Sequence, residues 1–187
     1  MAIYNVFEST NMKSTRRAAR IFDAISDVDI ENGTFGYLNG LAEGESHIYN
    51  FAVGTKAGET VIVADQPAWD EDTCRRTNQR RDKFVIKAGT PFRVREVAIN
   101  DEFATAIEGF TSDTKAIVTD TADFAATDVF VTIDSTGKLV ASNSTTADAV
   151  MEGHIERKRT VGGTLETKAN TYGYSKPLYE VRVKKLA

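Results

Sequence analysis

Cysteine, histidine, proline and leucine are scarce in this chain, and each scarcity narrows what it can be. A single cysteine among 187 residues, Cys74, cannot close an intrachain disulfide, which leans towards a reducing compartment. The two histidines, His47 and His154, each stand alone in a strand-like stretch. With no HExxH and no CxxC, a zinc centre has little to be built from. No apolar run approaches the ~18 residues of a membrane-spanning helix. The opening residues, MAIYNVFESTNMKSTRRAAR, lack the apolar core of a signal peptide. A net charge of −4 argues against a general nucleic-acid binder, which is basic overall.

Leucine and methionine together number only 9, whereas valine, isoleucine and threonine number 50. Branching at Cβ restricts χ1, which suits a pleated sheet better than a helix. The chain therefore reads as mainly β. Its parts are small β-barrel or sandwich regions, an N-terminal arm and one or two short helices. Short strands joined by tight turns are the pattern of such folds. The division expected is an arm at residues 1–30, a first β-region with a charged connector at 31–83, and a barrel-like domain at 84–187.

Within the arm, Ile3, Tyr4, Val6 and Phe7 form an apolar cluster that either adds a strand to the domain or docks on a neighbour. MKSTRRAARIFDAISDVDI, residues 12–30, is the best helix candidate, because Ala18, Ile21, Phe22 and Ile25 fall near helical spacing. Ser14 is its candidate N-cap. Lys13, Arg16, Arg17 and Arg20 stand together with no acid between them. They are a solvated face or a surface that lies on an acidic partner. Next come strand candidates Thr34–Leu38, His47–Val53 and Thr60–Ala64, with Asn39-Gly40 as a hairpin signal.

The connector holds Trp69, the acids Asp70, Glu71 and Asp72, and then Arg75, Arg76, Arg80 and Arg81. A short helix from about Glu71 to Arg81 would set the acids at its N-terminus and pair Asp72 with Arg76. The other reading is an electrostatic patch for another subunit. Trp69 is an anchor against a β-face or an interface hot spot. Beyond it, Phe92 and Val94 alternate with Arg93 and Arg95, and Val97 and Ile99 then shift the phase, which predicts a bulge or bend. Asn100-Asp101 reads as a turn, with Phe103–Phe110 returning as a strand. Residues 111–128 read as a polar loop with one short strand at most. VFVTIDSTGKLVAS, residues 129–142, is the clearest hairpin, with Gly137 at the positive-φ position. In LYEVRVK, residues 178–184, Leu178, Glu180 and Arg182 fall on one face, and Tyr179, Val181 and Val183 on the other.

No residue set spells out a reaction. Gly36, Gly40 and Gly44 lack the strand–turn–helix context and the following lysine of a phosphate loop. No GxSxG elbow is present. Cys74 has no nearby histidine to make it a nucleophile, and reads as a small buried residue. The expectation is a structural or binding role without catalytic residues, metal or cofactor.

The hairpin DVFVTIDSTGKLVAS, with VMEGHIERK and LYEVRVK after it, resembles the β-barrel modules of tailed-bacteriophage head decoration proteins. NGTFGYLNGL together with WDEDTCRRTNQRRDKFVIKAGTPFRVREV is similar to virion structural proteins of phages of Gram-positive hosts. The resemblance implies a protein made in the host cytoplasm that binds the outer capsid surface, contacting the major capsid protein and copies of itself on the lattice. It implies no active site, no direct nucleic-acid contact and no membrane. Val129–Ser142 would be a barrel element. The partner contacts expected are Tyr4, Phe7, Lys13, Arg16, Arg17, Arg20, Trp69, Arg75, Arg76, Arg80 and Arg81. Two alternatives stand beside this reading. One is a tail, baseplate or head–tail joining component. The other is a carbohydrate- or receptor-binding β-module using Tyr172, Tyr174 and Trp69.

Overall fold

A computed structural model of the chain describes residues 3–16, 19–67, 81–161 and 176–187. The fold is mainly β, as the composition predicts. The first strands are β1 (Phe7–Asn11), β2 (Ile21–Ile25), β3 (Phe35–Leu41), β4 (Ile48–Val53), β5 (Ile62–Ala64) and β6 (Phe92–Glu96). Then follow β7 (Glu102–Ala106), a short helix α1 (Lys115–Asp120), β8 (Phe130–Ile133), β9 (Leu139–Ser142), β10 (Met151–Val161) and β11 (Lys176–Leu186).

These strands make two units. A closed barrel has the order β2-β4-β3-β5-β6, with β2 and β4 parallel. A six-stranded sheet has the order β1-β7-β11-β10-β8-β9, with every pairing antiparallel. The barrel encloses Ala24, Phe51, Ile62, Ala64, Phe92 and Val94. A second core fills the space between barrel and sheet. There Phe35 lies 6.4 Å from Phe7 and 5.4 Å from Phe103, ring centre to ring centre. Val61 and Val63 join this second core from the barrel side.

The run Ile62-Val63-Ala64 is buried throughout because β5 is covered on both faces: Ile62 and Ala64 belong to the barrel core, Val63 to the shared one. The same geometry explains the phase change after β6. Phe92 and Val94 point into the barrel, and Val97 belongs to the shared core. The chain leaves one core and enters the next, so the apolar period breaks there.

Asn5 ties the two units together. It is buried, its side-chain oxygen accepts from Thr105 Oγ1 at 3.0 Å and from the Ala106 N–H at 3.1 Å, and its Nδ2 donates to the Asn32 carbonyl at 2.9 Å. Its own backbone N–H donates to Glu31 Oε2 at 2.9 Å. A buried amide satisfied on both sides specifies where the two segments meet.

Several expectations are corrected. Residues 12–30 are not a helix: the described part turns at 13–16 and then forms β2. IFDAI fits both periods, and bonding to β6 and β4 decides it, with Ala24 turned into the barrel. Ser14 caps no helix; it is buried in the turn. Residues 1–30 are not an arm, because β1 belongs to the sheet and β2 to the barrel. The barrel extends through β6, so the units divide between Glu96 and Glu102, and the sheet, not a barrel, holds the C-terminal strands. Asn39-Gly40 does not close a hairpin. It is a register shift inside β3, where Gly40 has φ +75°, and the reversal follows at 42–47, with Gly44 at φ +77°. Part of the stretch expected to be a polar loop folds as α1. The hairpin Val129–Ser142 forms as β8 and β9 with Gly137 at φ +71°, but at the sheet edge and not in the barrel.

Candidate functional site

Among the described residues, the basic segment after β1 is a concentration of one charge sign that the sequence singled out. Asp101 builds its base. Asp101 is fully buried, and its carboxylate accepts from the Lys13 and Ala98 N–H groups, each at 2.9 Å. Burial pushes this carboxyl above its ordinary value, against the pull of those two N–H groups. The Lys13 ammonium donates to the Ile99 carbonyl at 2.5 Å. Arg16 is exposed and donates to Asn11 Oδ1 at 2.9 Å. The Arg20 backbone N–H donates to Glu96 Oε2 at 3.0 Å, and its side chain is exposed. Among the described residues, no carboxylate lies within ion-pairing distance of the Lys13, Arg16 or Arg20 side chains. Two apolar side chains border the segment: Ile21 is 44% exposed and Ile99 45%. Lys13 reaches Ile99 through its ammonium, and Arg20 directly precedes Ile21 in the chain, so exposed apolar side chains and cations stand beside one another here, the composition of an interface core and rim.

The other charged surface is the outer face of the six-stranded sheet. The register aligns Glu8, Ala104, Glu180 and Arg157 across four strands. The next row holds Asn11, Glu102, Arg182, His154, Phe130 and Ser142 across all six. A bulge in β10 at Glu156 brings Glu156 and Arg157 onto this same face. Glu180 pairs with Arg157 and with Arg159, Glu8 pairs with Arg159 and with Arg81 (2.6 Å), and Glu102 pairs with Arg182. Glu156 lies 3.0 Å from Lys184, and His154 lies 3.0 Å from Asp128. Between these rows, the small side chain of Ala104 leaves a hollow of about 20 Å³, the size of a single water. Acids and bases alternate on this face and neutralise one another. The arrangement cross-links strands and offers a partner little uncompensated charge.

The pH response of this face follows from its pairs. For Glu8, burial alone would raise the carboxyl; the hydrogen bonds and charges of Arg159 and Arg81 outweigh it and hold it below the ordinary glutamate value. Glu156 behaves alike, with burial opposed by Lys184, Arg182 and His154. A carboxyl lowered in the fold adds stability that is fully present above the ordinary glutamate value of 4.5 and is lost as pH falls through the lowered one. Glu8→Gln is therefore expected to lose about 2 kcal/mol at neutral pH. The gap to the unsubstituted protein should narrow in urea unfolding as pH falls below the ordinary glutamate value and through the lowered one. Asp101 has the opposite pH dependence, but it is present in both proteins and cancels in the comparison. A gap that does not change as pH falls through this range would show that Glu8 is not held ionised by its arginines.

The sequence-selected residues separate into three groups. Lys13, Arg16 and Arg20 lie together at the patch. Phe7 is withdrawn: its side chain is 2% exposed and packs against Phe35 and Phe103, so it does not anchor a partner. Tyr4 is half-buried. Its N–H donates to the Asp82 carbonyl at 2.9 Å, and its carbonyl accepts from the Lys176 ammonium at 3.3 Å. Arg81 pairs within its own chain, to Glu8 and to the Phe7 carbonyl. That second bond takes one carbonyl on the edge of β1 that does not face β7, so the N-terminal strand pairs at home with β7 on one side and is partly covered at Phe7 on the other. Arg17, Trp69, Arg75, Arg76, Arg80, the acids Asp70–Asp72, and Tyr172 and Tyr174 of the carbohydrate reading lie outside the described residues.

Sequence reasoning missed the exposed Ile21 and Ile99 beside the cations, and the pairing of Glu8 with Arg159. The first had a signal in the phase shift at Val97–Ile99. The second had none, since Glu8 and Arg159 lie 151 residues apart in the chain.

Fold and site together define a two-unit β protein, a closed barrel set against an antiparallel sheet. No family model, no curated protein and no solved structure matches it. Among the described residues, no helix is long and apolar enough to cross a membrane.

Proposed function

We propose that this chain is a virion structural protein. In this reading it is a capsid decoration protein, made in the host cytoplasm, that binds the outside of a phage head and stabilises it through multivalent contacts. The observation that supports the reading best is the patch of Lys13, Arg16 and Arg20 beside exposed Ile21 and Ile99, mounted on a body whose two β-units share one core. A body of this kind transmits load between the points it touches. Its cations suit the acidic surface of a shell or of neighbouring copies on that shell. Each contact is weak alone. On a lattice, every engaged contact raises the effective concentration of the next, so attachment becomes strong without a tight single site.

The test is reconstitution. Purified protein is added to expanded phage heads that lack it, and both bound stoichiometry and capsid melting are measured. Saturable binding with a raised capsid melting temperature is expected, as is its loss in the exposed double variant Arg16→Glu, Arg20→Glu. Heads that neither bind the protein nor gain stability would sink the decoration reading. Binding confined to tails or head–tail connectors would move the protein to another part of the virion.

A further inference from the structure

The basic patch has a counterpart on the opposite side of the same molecule. The sheet begins at β1, whose chain continues directly into the patch, and ends at β9, against which α1 packs. Six strands spaced about 4.8 Å apart place these edges about 24 Å from one another. At the far edge, α1 and the turn after it form an open groove of about 550 Å³. Ala116, Ile117 and Ala122 give it apolar walls, and Asp120 and Asp123 line it with carboxylates. Both aspartates are exposed. The whole stretch from Thr111 to Asp128 carries four aspartates against one lysine, Lys115. The other edge carries Lys13, Arg16 and Arg20, and the sequence from Met12 to Arg20 holds no acid.

One edge thus carries exposed isoleucines with cations beside them, and the other an apolar groove lined by carboxylates. We infer that the occupant of the groove is the basic patch of a second copy of this chain. Ile99 or Ile21 enters between Ala116, Ile117 and Ala122, while Arg16 and Arg20 meet Asp120 and Asp123. The two surfaces differ, and each repels its own kind. The contact is therefore head to tail and not a twofold dimer, and it propagates into a ring or an open chain. The inference rests on reading the basic patch as an interaction surface, and it names the partner. Its test needs no capsid, so its failure is distinguishable from failure of the decoration reading.

Sedimentation velocity of the full chain at about 50 mM and about 500 mM salt reads the association, since salt screens exposed charge pairs. Assemblies that dissociate on raising the salt are expected. Arg16→Glu with Arg20→Glu, or Asp120→Lys with Asp123→Lys, should each weaken self-association at least about tenfold, because like charges then face each other. Circular dichroism melting checks that both variants remain folded. An equimolar mixture of the two should assemble again. The reversed patch of one then meets the reversed groove of the other, and the two untouched surfaces also match. Monomers at low salt, insensitivity to both variants, or folded variants whose mixture stays monomeric would each overturn the proposal.

Discussion

Phe35→Ala is expected to remove about 3–5 kcal/mol from the stability of the chain. Phe35 is 1% exposed, and its ring meets Phe7 of the sheet edge strand and Phe103 of β7. It stands on β3, a barrel strand, yet its side chain belongs to the core shared with the sheet. Truncation leaves a cavity that a barrel strand on one side and two sheet strands on the other cannot both collapse to fill. The loss is a large part of the roughly 5–15 kcal/mol that holds a typical domain folded. It also falls on the joint between the units, so the single urea transition expected of the unsubstituted protein should broaden or split in the variant. Urea unfolding followed by circular dichroism measures both effects. Leu41→Ala is the control, because that leucine is 49% exposed and its loss should cost less than about 0.5 kcal/mol. A Phe35→Ala protein as stable as the control would mean that the joint is not where the aromatic cluster places it.

This joint marks where sequence reasoning succeeds and where it stops. Strands whose sides differ in polarity were legible. β11 alternates Tyr179, Val181 and Val183 inward with Glu180 and Arg182 outward, as its spacing predicts. The β8–β9 hairpin was legible because Asp134 and Gly137 satisfy a local turn: the Asp134 carboxylate accepts from the Thr136 and Lys138 N–H groups at 2.8 and 3.0 Å. β2 was not legible. Its five residues fit a helical face as well as a strand, and the bonds that decide it reach Arg95 on one side and Tyr49 on the other. Barrel closure is a property of distant pairings, and local propensity does not contain it.

The candidate site divides in the same way. Four cations without an acid are visible in any reading of residues 12–20. That Ile21 and Ile99 are exposed beside them depends on the β2–β6 pairing and on the Asp101 anchor, both long-range. On the sheet face, strict alternation would have sent Glu156 and Arg157 to opposite sides. The bulge in β10 puts both on one side, next to Glu180 and Lys184, and no local pattern announces it.

Gly137→Val is the second large expected effect, and it tests the joint from the other direction. The sequence predicts a positive-φ turn at Gly137, and φ is +71° there. Its position adds a second constraint. The hairpin tip is seated on the barrel: the Gly137 carbonyl accepts the Phe35 N–H at 2.9 Å. A side chain at 137 would overlap the Phe35 carbonyl and come within 2.9 Å of Thr34 Cγ2 and Val53 Cγ1. Left-handed backbone costs a β-branched residue about 1–2 kcal/mol, and forcing atoms into a filled contact adds about 1–3 kcal/mol. A loss of about 3 kcal/mol is therefore expected. Gly58→Val separates the two contributions: Gly58 has φ +80°, and nothing lies within 4 Å of an added Cβ. The Gly58 variant should show the backbone cost alone, so the difference between the two urea midpoints measures how firmly the hairpin tip is seated. Equal losses in the two variants would mean that the tip does not bear on the barrel, and the sheet and barrel would then be held together by their shared apolar core and the Asn5 hydrogen bonds.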